Sequence, residues 1–355
     1  LILKSRIRIP PFMPNHKSLL LIALIISLSS TAINAAPIVR LELLIDGNQG
    51  LRYAPKWVEF VEKVGNYNVR VRSKKPGEKP EVRQTGSKTS PIYTVIGFIT
   101  EREVVLHAAK FRLGDVDGLK KYLERLKGDG VKSLTEEIGL FDLTREQIVD
   151  VHKKLSQPIV FSPRGRPVGQ ILFDLADLVK MEFAIDSSVS FVAKSGEKFQ
   201  HEMKGLSAGT VFAAVLRTHG VALVPEKPPG KPTLLRLASL SETQDFWPVG
   251  WPSKARPADL APDLFKNLTV EIKDTELHKV INAISPRLKT PVLVDERAML
   301  ATGVDLNKKV TVPPGRSYYK RILDTALAMG GLRCAILEDD SGRGFLWITT
   351  AKPYP

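Results

Sequence analysis

The sequence predicts the α+β class, in the form of an N-terminal α+β domain followed by two small repeated βαβ-β-α-ββ modules. Three observations predict it. Runs of apolar residues with a helical period alternate with short runs of period two. After Pro158 one such pattern appears, and it returns about a hundred residues later, beyond a Pro/Trp-rich interruption. With 43% hydrophobic and 25% charged residues over 355 positions, the chain is long enough for two or three domains and apolar enough to bury cores. The single cysteine, Cys334, excludes an internal disulfide and a Cys-rich zinc cluster.

Residues 1–35 read as an address. From Met13 come a short basic start at His16 and Lys17, an apolar run from Leu19 to Leu28, and then small polar residues up to Ala35-Ala36. That order is a secretory signal with cleavage near Ala35, and the apolar run is too short for a stop-transfer helix. An uncleaved amphipathic anchor is the alternative. The stretch before Met13 reads as lying upstream of the true start, and the absence of a cysteine near the cleavage site excludes a lipoprotein anchor. Losing these residues leaves 48 basic against 38 acidic side chains, so the exported protein stays basic. Periplasm or outer cell surface is the expected location, with no transmembrane segment after cleavage.

Residues 36–156 are expected to form a basic α+β domain. Ile38 to Asp46 reads as a strand, and Pro55 opens a helix with Trp57, Phe60, Val61 and Val64 on one face. Asn68 to Arg72 alternates as a strand. The Pro/Gly/Ser/Lys-rich stretch 73–91 should be an exposed loop or a frayed hairpin. Strands follow at Tyr93 to Thr100 and Glu103 to Leu113. Asp115 then caps a helix carrying Leu119, Leu123 and Leu126, and Thr144 to Gln147 is a capping box ahead of Ile148, Val151 and Leu155.

The first module spans 158–242 and the second 265–351. Val168, Leu172, Leu175, Val179, Phe183, Ile185 and Asp186 match Leu277, Ile281, Ile284, Leu288, Val292, Val294 and Asp295, each pair 109 positions apart. Later the offset is 111, matching Val211, Phe212, Leu216, Gly220 and Val221 to Ile322, Leu323, Leu327, Gly331 and Leu332. A strand at Leu268 to Lys273 opens copy two, with Ile159 to Ser162 as its expected counterpart. Each module is marginal alone. Residues 243–264 between them, containing FWPVGWPSKARP, are expected to be an extended linker, although Trp247 and Trp251 need apolar cover.

The second copy resembles the short N-terminal domains of secretins and TonB-dependent receptors. It carries Val270, Thr275 and Leu277 in the spacing by which that family enters its first helix, then the strand end Val294-Asp295. Gly331-Leu332 with Phe345, Trp347 and Ile348 forms the closing hairpin. Pro313-Pro314-Gly315 and the Tyr318-Tyr319 pair depart from the family pattern, and the first copy is a more distant match. From the signal segment to FLWITT the chain is similar to a group of uncharacterised exported bacterial proteins with the same three-part layout. The resemblance implies stacking or partner contact and brings no catalytic activity. No channel domain or receptor barrel follows up to Pro355.

Candidate chemistry is sparse. The histidines have no metal-ligand spacing, and no nucleophile elbow, Walker loop or dinucleotide fingerprint occurs, so no catalytic residue, metal or cofactor is expected. Cys334 lies on an alternating strand and reads as a packing thiol. Asp186 and Asp295, matched by the repeat, read as strand-end caps. Between Arg70 and Lys88 there are seven basic and two acidic residues, and Arg70, Arg72, Lys74, Lys75, Lys79 and Arg83 are candidate contacts for an anionic cell-wall polymer or lipid surface. A solvated loop is the plainer reading. Nucleic acid is not expected, because no aromatic residues interleave with the charges. Trp247 and Trp251 are candidate partner or interdomain contacts. The expected function is therefore that of an exported, non-enzymatic envelope protein for protein–protein contact or self-association. A polyanion or cell-wall binder is the alternative, and an unrecognised hydrolase a third class.

Overall fold

The computed structural model describes residues 36–47, 50–87 and 89–351. The stretch 1–35, expected to be a signal, and Lys88 lie outside the described residues. The class is α+β, with helices and strands in mixed sheets. The chain divides into two units, one ending at Leu123 and the other beginning at Glu124.

In the first unit, β1 (Ile38–Ile45) is the most apolar strand, and Leu41, Leu43 and Leu44 are buried. A strand with apolar residues on both faces belongs inside a sheet covered on both sides. It runs parallel to its two neighbours, β2 (Asn68–Ser73) and β4 (Ser90–Ile99), with α1 (Gly50–Val64) as the crossover into β2. The helix starts five residues before the expected Pro55. That proline falls inside it, where the carbonyl it leaves unpaired belongs to exposed Leu51. β3 (Glu81–Ser87) pairs antiparallel with β4, so the stretch after Lys79 is an ordered hairpin. The strand expected from Glu103 to Leu113 is in fact two, β5 (Glu103–Leu106) and β6 (Ala109–Arg112), folded back at Ala108 with φ near +59°. Asp115 accepts the Gly118 amide at 3.0 Å and starts α2 (Val116–Asp129), within which the division of the chain falls.

The second unit opens earlier than the expected boundary at 156. α3 (Arg145–Leu155), begun by the Thr144/Gln147 capping box, sends Val151 and Leu155 into the core of the first module together with Leu143. Burial of that stripe, not proximity in sequence to the basic domain, decides where the helix belongs. The first module follows as α4 (Val168–Val179), β7 (Glu182–Ile185), α5 (Ala208–Thr218), β8 (Val221–Glu226) and β9 (Leu234–Ser239). The strand expected at Ile159 to Ser162 is only a bridge between Pro158 and Ser207, since prolines at 158 and 163 cannot donate to a ladder.

Residues 243–264 are not a free linker. They form β10 (Trp251–Pro252), which pairs with the second module, and the single turn α6 (Pro257–Leu260). Trp247 enters the first module's core, and Ala261 and Leu264 enter the second's. The second module comprises β11 (Asn267–Glu276), α7 (Leu277–Ile284), β12 (Val292–Val294), α8 (Glu296–Thr302), β13 (Lys309–Tyr318), α9 (Tyr319–Met329), β14 (Leu332–Glu338) and β15 (Gly344–Thr350).

Three strands of each module share one arrangement, to which the second adds β10 and the separate β11–β13 pair. β9 lies between β7 and β8, parallel to the first and antiparallel to the second. β15 lies between β12 and β14 with the same senses. They share apolar packing as well, because Leu293 and Phe345 of the second module lie in the core of the first.

Trp57 anchors the first unit. It is 1% exposed, packs edge-on against Phe60, and donates from Nε1 to the Thr100 carbonyl at 2.7 Å. Trp57→Ala should cost about 3–5 kcal/mol in urea unfolding, whereas Trp57→Phe should lose roughly 1–3 kcal/mol for the orphaned carbonyl.

Candidate functional site

The basic segment does not gather into one patch. Arg72 is held inward, its two Nη atoms on Glu78 at 2.9 and 2.7 Å and its Nε on Glu42 at 3.1 Å. Glu78 also accepts the Lys75 amide at 2.7 Å. The Arg72 guanidinium holds the Glu78 carboxyl down at about 2. Arg83 pairs with Glu81, and the Lys74 ammonium sits 4.5 Å from the centre of the Phe98 ring. Arg70, Lys74, Lys75, Lys79 and Arg83 are exposed. Arg70 and Arg72 alternate on β2, the outermost strand of its sheet, where charge discourages a further strand from adding.

The two tryptophans do come together, and a residue that pattern reading missed unites them. Asp340 lies in the turn between β14 and β15 and is 5% exposed. Its Oδ1 accepts the Nε1 protons of Trp247 at 2.9 Å and Trp251 at 2.7 Å. Its Oδ2 accepts the hydroxyls of Ser207 at 2.7 Å and Thr210 at 3.2 Å. The Ser207 hydroxyl in turn accepts the Asp340 amide at 3.1 Å. Four neutral donors thus surround one buried carboxylate, which is how an unpaired charge survives away from water. Trp247 and Trp251 meet edge-on at 5.3 Å, and Phe141 stacks on Trp247 at 5.9 Å. Trp247 is 2% exposed, so it is an intermodule contact within the unit and offers no surface to a partner.

Asp339 completes this joint. Its Oδ2 accepts the Ser207 amide at 2.7 Å, while Oδ1 ties down its own turn through the Ser341 and Arg343 amides, both at 2.8 Å. Both carboxylates stand at the start of α5, where the helix dipole favours negative charge. Gly209, in the first turn of α5, makes room for them: a Cβ there would lie 2.5 Å from Asp340 Oδ2 and 2.8 Å from Trp247 Nε1.

At the other end of α5, Arg217 reaches the second module. Its Nε lies 3.1 Å from each oxygen of Asp295, which also accepts the Ala298 amide at 3.2 Å and the Thr349 hydroxyl at 3.0 Å. Asp295 therefore caps α8 as its place after a strand implies. Its repeat partner Asp186 makes no side-chain cap and pairs with Arg236 at 3.1 Å. Beside this tie, His201 Nε2 lies 3.3 Å from Glu296 Oε1, outside hydrogen-bonding geometry, and holds that carboxyl below its ordinary range.

Among the described residues no group of three His, Cys, Asp or Glu side chains gathers to hold a metal. Cys334 is buried on β14, and desolvation pushes its thiol up to about 12, which leaves it a packing side chain. The second module also presents β11 and β13 as a sheet of their own. Their pairing is regular from Asn267–Tyr318 to Val270–Gly315 and is then interrupted by two bulges around Ile272 and Asp274. No other strand pairs with their outer edges among the described residues. No helix of the described residues is long and apolar enough to cross a membrane. Comparison with family models, curated proteins and solved structures finds no match to this chain.

Two expectations follow. Asp340→Asn turns one oxygen into a donor facing indole or hydroxyl protons and should cost about 3 kcal/mol, with a shift in tryptophan emission, read by denaturant unfolding with fluorescence. The Arg72–Glu78 pair stabilises the fold fully above the ordinary carboxylate value of 4.5 and loses that contribution as pH falls toward about 2. Glu78→Gln should flatten that part of the acid limb when stability is compared at pH 6 and pH 3.

Proposed function

We propose that the chain is an exported, non-enzymatic protein of the cell envelope whose second unit makes protein–protein contacts through an open sheet edge. The observation that carries the reading is the β11–β13 ribbon. Two ten-residue strands pair only with each other among the described residues, and their backbone groups at the outer edges are free to pair with a further strand. The regular half, Asn267 to Val270, has exposed Asn267 and Thr269 alternating with partly buried Leu268 and Val270. An added strand there would continue the register already set by the ribbon. The bulged half bends away and carries charged Lys273, Asp274 and Lys309, which confines addition to the regular stretch.

Two further points support the reading. The chain's likeness to secretin and TonB-receptor short domains is strongest in this second module, and such domains act through partner contact. The ribbon packs Leu268, Val270 and Ile272 against the second module's core, so an added strand meets a preformed surface.

A photo-crosslinking side chain at Thr269 should give adducts with an envelope protein or with a second copy, and one at exposed Asp177 on α4 should not. Asn267→Pro and Leu268→Pro remove neighbouring amides of the regular stretch that point to opposite sides of the strand and leave the probe at Thr269 in place, so one of the two should abolish the adducts while the fold is retained. A monomer at micromolar concentration without adducts at Thr269 tells against the proposal.

A further inference from the structure

The second unit contains a cleft of about 790 Å³ between the 200–205 loop of the first module and the α7–β12 side of the second. Its volume falls in the range of small-ligand sites. Apolar wall comes from Ile281, Leu288 and Val292, and the rim carries Arg164, Lys204, Lys289 and Arg343. All four cationic side chains are exposed, and among the described residues none closes a salt bridge, although the Asp263 carboxylate that accepts the Lys289 amide at 3.0 Å feels the charge of Lys289. Elsewhere in the unit cations within reach of an acid close on it, as Arg166 does on Asp174 at 2.5 Å and Lys227 on Asp129 at 2.6 Å.

One of the two acids of the cleft is already hydrogen-bonded. Glu202 accepts the Ser162 hydroxyl at 2.5 Å and the Lys204 amide at 2.8 Å. Glu296 faces the imidazole of His201 at 3.3 Å. Both carboxylates keep their charge, so the cleft carries four cationic side chains against two acidic ones and its net field is positive.

Arg343 is held in place by the intermodule joint. Its amide is fixed on Asp339 at 2.8 Å, and the same carboxylate binds Ser207 in the first module. The guanidinium lies directly over the α-carbon of Gly205, whose φ of +85° and lack of a Cβ let it approach; any side chain at 205 would strike it. This brings a cation of the second module beside Lys204 of the first, and the pair exists only when the modules are joined.

We infer that this cleft binds a multiply charged oxyanion ligand, one bearing two or more phosphate or carboxylate groups that bridge the modules from Lys204 and Arg343 to Lys289. The inference is independent of the sheet-edge reading and uses none of the residues of the 70–83 segment.

Titration calorimetry on the purified full-length chain, with sodium tripolyphosphate in one arm and trigalacturonic acid in the other, tests it and separates a phosphate ligand from an acidic sugar. At least one should bind with one site per chain and weaken steeply with added salt. Arg343→Glu with Lys289→Glu should weaken it about tenfold or more, and Arg343→Gln alone by a smaller factor in the same direction. Gly205→Ala, which leaves every charge in place, should weaken it too by displacing the guanidinium. Lys254→Glu with Arg321→Glu, an equal change of charge outside the cleft, should leave it intact once circular dichroism shows all variants folded. The inference fails if neither compound binds at millimolar concentration, or if the cleft variants bind as well as the parent chain. It fails also if binding is lost only in the Lys74, Lys75, Lys79 and Arg83 charge reversal.

Discussion

One carboxylate organises the second unit. Asp340 is a charge removed from water with no cation paired to it among the described residues, a placement that costs several kcal/mol unless every lone pair is used. Here two indoles, two hydroxyls and the geometry of a tight turn use them. Because these donors come from the first module and from the segment between the modules, while the carboxylate belongs to the turn of the second, satisfying it fixes all three at once. The low polarity around Trp247 and Phe345 makes each of those hydrogen bonds stronger than it would be at a surface, and makes any missing one more costly.

That constraint explains features that look unrelated. The proline-rich segment 243–264 joins the second module's ladder only through Trp251 and Pro252, and its two tryptophans both reach one oxygen. Gly209 sits where helix propensity argues against glycine because the carboxylate and an indole occupy the space of its Cβ. Two modules that are each marginal in size gain a common core through Leu293 and Phe345.

Much of the fold was legible in the sequence, for identifiable reasons. Periodicity and capping chemistry located β1, the apolar face of α1, the capping box of α3 and the matched helices and strands of the two modules, since each rests on contacts within a few residues. What failed depended on distant partners. Val151 and Leu155 look the same whichever core receives them, and only packing assigns α3 to the second unit. Pro158 and Pro163 reduce an expected strand to a bridge because the ladder lacks donors. Asp339-Asp340 in a sequence ending Ser-Gly reads as an ordinary polar turn, and nothing local reveals that Ser207, more than a hundred residues earlier, needs both carboxylates. The basic run from Arg70 onward was visible as charge, whereas the inward turn of Arg72 onto Glu42 and Glu78 was not.

Helix α5 is gripped at both ends by the module that follows it, through Ser207 and Thr210 on Asp339 and Asp340 at its start and through Arg217 on Asp295 at its finish. Eleven residues of helix, about 16 Å of nearly incompressible rod, thus set the distance between the β14–β15 turn and the end of β12. The length of α5 is a gauge for the spacing of the second module's strands. An insertion or deletion in this helix would put the two carboxylate anchors out of step, even if every residue touching them were kept.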